Sequence, residues 1–319
     1  MTTFTCLGGG HGLYQTLLAC RRAHAEHINA VVTVADDGGS SGRLRRELGM
    51  IPPGDLRMAL SALMPDTETG RLWRDTLQHR FRGNGAMAGH AVGNLLLAGL
   101  SEEVGGMQAA LDVLTTWAGA KGRVIPVCGE PLEIEADVAG LDDDPRVLRS
   151  VRGQVAVATT PGSVRRVRIL PADPPVNRAA IAAIMNADVV TIGPGSWFSS
   201  VIPHLLVPDV VSALNETVAK VIVVLNLSPE AGETQGFTTE RHIHLLSQHA
   251  PGLKVDNFVA DSDINTTPGE RTHLQRTAQR VGAEITYTDV RTVTADGQTT
   301  SVHDPEKLAA ALLALGGAG

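Results

Sequence analysis

Cysteine is scarce: the three present, Cys6, Cys20 and Cys128, form no CxxC pair and cannot all pair with one another. That pattern excludes a zinc ribbon and a disulfide framework, fits a reduced compartment, and leaves the three as buried small hydrophobes. A surplus of positive charge is also missing, with 27 Lys and Arg against 34 Asp and Glu and a formal net charge of -7. Nucleic acid and anionic membrane surfaces are therefore excluded as partners, because such binding depends on a surplus of cations facing phosphate. Long apolar runs are absent too; VIVVLNL and NLLLAGL are far too short to cross a bilayer, and MTTFTCLGGG has neither a basic head nor a long apolar stretch. The expectation is a cytoplasmic chain without membrane insertion. Aromatics are few (3%) and the basic residues are mostly arginine, a bias read as genome base composition. No GxSxG elbow, no HExxH and no Cys with a partnering His and acid stands in a recognisable signature.

What is present is ample apolar material, 43% of 319 residues, enough for a proper core. A short strand, Phe4 to Leu7, runs into GGGHG, a helical pattern follows from Leu13 to about His27, and a second strand, INAVVTVA, ends at Asp36. This is a β-α-β unit with a glycine-rich first turn. GHAVGNLLLAGL and MQAALDVLTTWAGA read as helices and GRVIPV as a strand. From Leu132 to about Leu170 the segments LEIEADV, GQVAVATT and VRRVRIL alternate as antiparallel strands. Helices at Asn177 to Asn186, Trp197 to Leu206, Thr239 to His249 and Pro305 to Leu315 then alternate with the strands DVVTIG, KVIVVLNL and KVDNFVA, and the GGAG tail reads as frayed. The expected fold is one Rossmann-like α/β domain over residues 1–319, a mainly parallel sheet with helices on both faces and an inserted antiparallel β region at about 130–172. Such sheets bind ligands at the carboxyl ends of their strands, so the loops that follow strands are the candidates.

In the first of them, Gly9, Gly10, His11 and Gly12 let backbone approach a phosphate or ribose, though the spacing is not a clean GxGxxG. In the second, Asp36 and Asp37 end a strand where a dinucleotide fold places a single acid on the ribose. Two carboxylates bind a hard cation such as Mg2+, hold ligand hydroxyls, or accept from the amides of Gly38, Gly39, Ser40 and Ser41. Arg43 or Arg45 then neutralises charge. Asp55, after two prolines and a glycine, reads as a helix N-cap or a site residue. His90 and Asn94 lie four apart on one helix face. A second cradle is GPGS, with Gly193, Gly195 and Ser196 followed by Ser199 and Ser200. Asn226 and the Glu233-Thr234 pair rim the same pocket, with local capping as the alternative for Glu233 and Thr234. Two cradles in one sheet favour a ligand with a long anionic body, such as a nucleotide diphosphate.

VTVADDGGSSGRLRRELGMIPPGDLR, GHAVGNLLLAGL, NADVVTIGPGSWFSSVIPHLL, AGETQGF and the N-terminal GGGHG together resemble the bacterial YvcK proteins, the gluconeogenesis factors of the CofD superfamily, over nearly the whole chain. Trp197-Phe198 after GPGS and the arginine-rich composition resemble actinobacterial members. The resemblance implies a Rossmann-like fold, cytoplasmic location and binding of UDP-sugars, notably UDP-N-acetylglucosamine. It further implies a link to cell shape and peptidoglycan synthesis on gluconeogenic carbon sources, with peptidoglycan-synthesis proteins and Ser/Thr kinases as partners. No cofactor is required and no activity is established for this branch. The related CofD branch is a transferase that makes a phosphodiester in the deazaflavin coenzyme with Mg2+, and its pattern after the second strand differs. His11 stands where the family more often has Thr, and the stretch after Asn226 departs from NLMTQPGET. Thr277 and Val302 align where sugar-nucleotide binders carry Tyr and Arg, which implies weakened or replaced contacts on that side.

The leading reading is a UDP-sugar-binding regulator. A CofD-type Mg2+-dependent transferase is the alternative, and an NAD-linked oxidoreductase is the weakest, since no hydride pocket can be named. A homodimer is expected for a large α/β domain.

Overall fold

The computed structural model describes residues 2–144, 146–228, 238–263 and 268–317. Its centre is a seven-stranded parallel sheet. The first half of the chain supplies β1 (Thr3–Gly8), β2 (His27–Val32) and β3 (Arg123–Pro126). A separate antiparallel sheet follows, β4 (Glu133–Ala139), β5 (Leu148–Arg152) and β6 (Ser163–Leu170), with β4 in the middle. The main sheet resumes with β7 (Val189–Ile192), β8 (Lys220–Val224), β9 (Asn257–Asp261) and β10 (Glu284–Thr288), and β11 (Arg291–Val293) pairs with β12 (Thr299–His303) as a hairpin. The central strands are short and almost wholly apolar, as strands covered on both faces must be; all four residues of β7 and all five of β9 are buried.

The helices are α1 (Gly10–Arg22), α2 (Gly39–Leu48), α3 (Gly54–Ala62), α4 (Glu68–Gln78), α5 (Val92–Glu103) and α6 (Met107–Ala118) before the insertion, and α7 (Gln154–Ala158) within it. After it come α8 (Arg178–Met185), a π-helical turn Trp197–Val201 running into α9 (Ile202–Leu205), α10 (Pro208–Glu216), α11 (Thr239–His249), α12 (Pro268–Arg280) and α13 (Pro305–Leu315).

The sheet order is β10-β9-β8-β7-β1-β2-β3. From β1 the chain winds outward through β2 to β3, then returns to the other side of β1 and winds outward through β7 to β10. The reversal opens a crevice at the carboxyl ends of β1 and β7, where a doubly wound sheet takes its ligand.

Several expected elements differ. The first helix spans Gly10–Arg22 rather than Leu13 to His27, because extended Gly9 starts it and the left-handed turn at His24 (φ 49°) reverses the chain soon after its end. GQVAVATT forms the short helix α7 instead of a strand; of its apolar residues only Val157 is fully buried, so its alternation does not mark a sheet face. The remaining strand of the insertion is β5, Leu148–Arg152, whose mostly exposed LRSVR carries no apolar signal. Among the described residues, no single helix is long and apolar enough to cross a membrane.

Candidate functional site

A cavity of about 220 Å3 occupies the crevice, walled by Gly9, Gly10, His11, Gly12, Gly195 and Ser196 from the two glycine loops. Asp36, Asp55, Gln154, Ser199 and Ser200 complete it. Gly12 sets the distance between the walls: a Cβ there would lie 2.1 Å from the Pro194 carbonyl oxygen and 2.7 Å from Gly195 Cα, so only glycine lets α1 close on the GPGS turn. Thr16 Oγ1 donates to the Gly193 carbonyl (3.3 Å) and the Gly193 amide donates to the Leu7 carbonyl (3.0 Å), fixing the two strand ends side by side. The first amides of α1 have no partner within the helix. Gly10 N–H donates to Asp55, leaving the His11 and Gly12 amides to present the positive end of the helix to the cavity.

The amides of the second cradle are differently placed from the sequence expectation. Gly195 N–H donates to Asn226 Oδ1 (2.9 Å) and Asn226 Nδ2 donates back to the Gly195 carbonyl (3.0 Å). Asn226 is thus a clamp on the turn, and Gly195 offers its backbone surface rather than a free N–H. Ser196, Ser199 and Ser200 provide the polar groups of that wall.

The paired acids do not act as a pair. Asp36 faces the cavity and accepts from Gly38 N–H (2.9 Å), whereas Asp37 turns away and accepts from Val155 N–H at the start of α7 (2.9 Å). Adjacent residues on an extended chain point to opposite sides, which is why two neighbours cannot share one ligand here. The carboxylate that joins Asp36 is Asp55. It is no N-cap, since Pro53 holds that position and Asp55 lies in the first turn of α3. Burial, and then the neighbouring Asp36 carboxylate, push Asp55 up to about 7, against the pull of the Gly10 amide and Arg57. Asp36 and Asp55, rather than the expected pair Asp36 and Asp37, are therefore the two carboxylates that line the cavity. Among the described residues no group of three or more His, Cys, Asp or Glu is placed to hold a metal.

The arginines of the second motif also serve elsewhere. Arg43 donates to the carbonyls of Ala86 (2.7 Å) and Ala88 (3.3 Å), and Arg45 to that of Leu132 (2.7 Å), so both fasten loops instead of neutralising a ligand. Gly38 and Gly39 form the entry to α2, and Ser41 packs its hydroxyl against the backbone at Gly54. His90 precedes α5 rather than lying on it, yet its Nδ1 and Asn94 Nδ2 both meet Ser40 Oγ, at 2.9 and 3.0 Å. Burial, Arg43 and Arg80 hold the His90 ring below its ordinary value, keeping it neutral. This buried trio ties α2 to α5 away from the cavity. Ser40→Ala strands two polar partners, and denaturant melts are expected to show a loss of about 1–3 kcal/mol.

Thr277, which bonds the His273 carbonyl, and Val302, exposed on β12, do not line the cavity. Glu233 and Thr234 lie outside the described residues. Gln154 is the lining residue that no motif announced. A larger cavity, about 790 Å3, opens among Arg21, Lys121 and Leu313. It lies at the amino ends of β2 and β3, away from every strand-end loop, so the crevice is the better candidate.

The sequence model of the family described as "2-phospho-L-lactate transferase CofD" matches residues 4–304. A candidate gluconeogenesis factor of Mycobacterium tuberculosis is 58% identical over 96% of this chain and 88% of its own length, and that of Mycobacterium leprae 57% over 97% and 85%. The gluconeogenesis factor of Halalkalibacterium halodurans is 35% identical over 82% of this chain and 78% of its own. A crystal structure of a UPF0052 family protein from Bacillus halodurans superimposes with a TM-score of 0.85 at 29% identity, covering 98% of this chain and 100% of that one. With the parallel sheet and its switch-point crevice, these likenesses show that the chain belongs to the CofD family, among the YvcK-type gluconeogenesis factors.

Proposed function

We propose that this chain binds a UDP-sugar, UDP-N-acetylglucosamine foremost, and acts in the cytoplasm as a regulator of peptidoglycan synthesis and cell shape during growth on gluconeogenic carbon. The observation that carries the reading is the meeting of the α1 N-terminus, the GPGS turn and two carboxylates around one cavity at the switch point. The His11 and Gly12 amides suit a phosphate. Asp36, beyond the end of β2, suits ribose hydroxyls. Regulation of this kind calls on protein partners, and peptidoglycan-synthesis proteins and Ser/Thr kinases are the classes the family suggests.

A diphosphate beside Asp36 and Asp55 meets like charge, and among the described residues no Lys or Arg lines the cavity. Mg2+ is commonly held by one or two carboxylates together with substrate phosphates, so this donor set fits a cation that arrives with the ligand. Asp36 and Asp55 would hold it, and bound there it would screen the phosphate charge. The same pair favours a second reading, a CofD-type transferase of a phosphorylated group.

Calorimetric titration with UDP-N-acetylglucosamine, with and without Mg2+, tests the first reading, with NAD as the comparison ligand. Binding of the sugar nucleotide, strengthened by Mg2+, is expected. At a hundredfold excess over Kd it should add about 2.7 kcal/mol to stability. No heat and no rise in melting temperature would overturn the proposal. Turnover of the sugar nucleotide in the presence of an acceptor, lost in Asp36→Asn, would move the assignment to the transferase.

A further inference from the structure

Gln154, the first residue of α7, reaches the cavity from the inserted region, not from a loop of the main parallel sheet. Its backbone is pinned on both sides: Gly153 N–H donates to the Ile134 carbonyl (2.8 Å), and Val155 N–H to Asp37 Oδ1 (2.9 Å). Gly153 has φ 99°, and a Cβ there would lie 2.5 Å from Asp37 Oδ2, so the turn into α7 is built around that carboxylate. Val157, one turn on, is fully buried and anchors the far end of the helix. The backbone at Gln154 is thus fixed by Ile134, Asp37 and the burial of Val157, while its carboxamide makes no hydrogen bond to the described residues.

Among the described residues, every other polar side chain in the wall is a carboxylate, a serine hydroxyl or His11. A carboxamide differs from these in offering one donor and one acceptor edge without charge. It suits a neutral hydroxyl or amide on a ligand better than a phosphate, for which the helix amides already stand opposite. A polar group held ready in this way discriminates strongly, because a ligand lacking the matching group leaves it enclosed and unpaired.

We infer that Gln154 is a specificity-determining residue that reads a hydroxyl or acetamido group on the sugar half of the nucleotide, and that Asp37 is the positioning residue that holds it there through α7. This rests on the UDP-sugar reading of the cavity.

The test is calorimetry on the full chain with two probes, UDP-N-acetylglucosamine and UDP, at fixed Mg2+. Gln154→Ala is expected to weaken the sugar nucleotide about 3- to 10-fold, one hydrogen bond's worth, and to leave UDP within about twofold. Asp37→Ala should reproduce that selective loss by releasing α7. Asp37→Asn should restore most of the affinity, since an amide oxygen still accepts from Val155 N–H. Equal losses for both probes, or none for either, would overturn the inference while leaving the UDP-sugar reading intact. Failure of Asp37→Asn to rescue would remove Asp37 from the positioning role. If the unsubstituted chain binds neither probe, the UDP-sugar reading fails and the inference falls with it.

Discussion

Gly12→Ala is expected to yield a protein that melts far below the parent chain and binds no nucleotide sugar. The added methyl would lie 2.1 Å from the Pro194 carbonyl oxygen and 2.5 Å from its carbonyl carbon. Both atoms are backbone, so no rotamer change relieves the overlap. Retreat of the turn would also pull on the Thr16 bond to the Gly193 carbonyl and on the Gly193 amide bond to Leu7, which align β1 with β7. Overpacking against immovable atoms costs about 3 kcal/mol or more. In a chain of this size that corresponds to a fall of roughly 5 °C or more. Gly85→Ala is the control, because a methyl there meets nothing within 4 Å and the backbone needs no left-handed conformation. Thermal melts followed by circular dichroism decide it: a Gly12→Ala protein melting within about 2 °C of the parent would mean that the two loops do not close on each other as described.

The sheet was readable from sequence because each central strand is covered on both faces and therefore spelled as a short, mainly apolar run, as in Val189–Ile192 and Lys220–Val224. The glycine loops were readable for a related reason, since few structures other than a close backbone approach tolerate GGGHG or GPGS. Roles within the loops were harder. Asp36 and Asp37 are chemically identical and adjacent, and only the direction each side chain takes separates a cavity wall from an anchor for α7. Arg43 and Arg45 looked like phosphate ligands because charge is local in sequence, whereas the carbonyls they satisfy, at Ala86, Ala88 and Leu132, are more than forty residues away. Gln154 was invisible altogether. Its segment alternates like a strand, and its position depends on contacts with Ile134 and Asp37 that no local pattern encodes.

Asp55→Asn is expected to stabilise the protein at pH 8 and to remove the benefit of Mg2+ to ligand binding. In the folded chain burial and the Asp36 carboxylate raise Asp55 from 3.8 to about 7. Below about pH 4 the group is protonated in both the folded and unfolded chain. Between that point and about pH 7 the folded chain keeps its proton while the unfolded chain has lost it. The stabilisation relative to high pH is therefore full at the acid end and is lost as pH rises through 7. Each unit of separation is worth 1.36 kcal/mol, so the ceiling is about 4 kcal/mol. Asparagine keeps an oxygen for the Gly10 amide and carries no charge at any pH, so this part of the pH dependence should vanish. The measurement is a pair of denaturant titrations at pH 4 and pH 8: Asp55→Asn should exceed the parent by about 2–4 kcal/mol at pH 8 and approach it at about pH 4. A variant equally destabilised at both pH values would show that Asp55 is held as a paired carboxylate rather than crowded against Asp36. Stability gained at pH 8 together with Mg2+-independent binding of UDP-N-acetylglucosamine identifies the same crowding as the feature that the cation relieves, since neutralising one carboxylate by mutation does what the metal does by coordination.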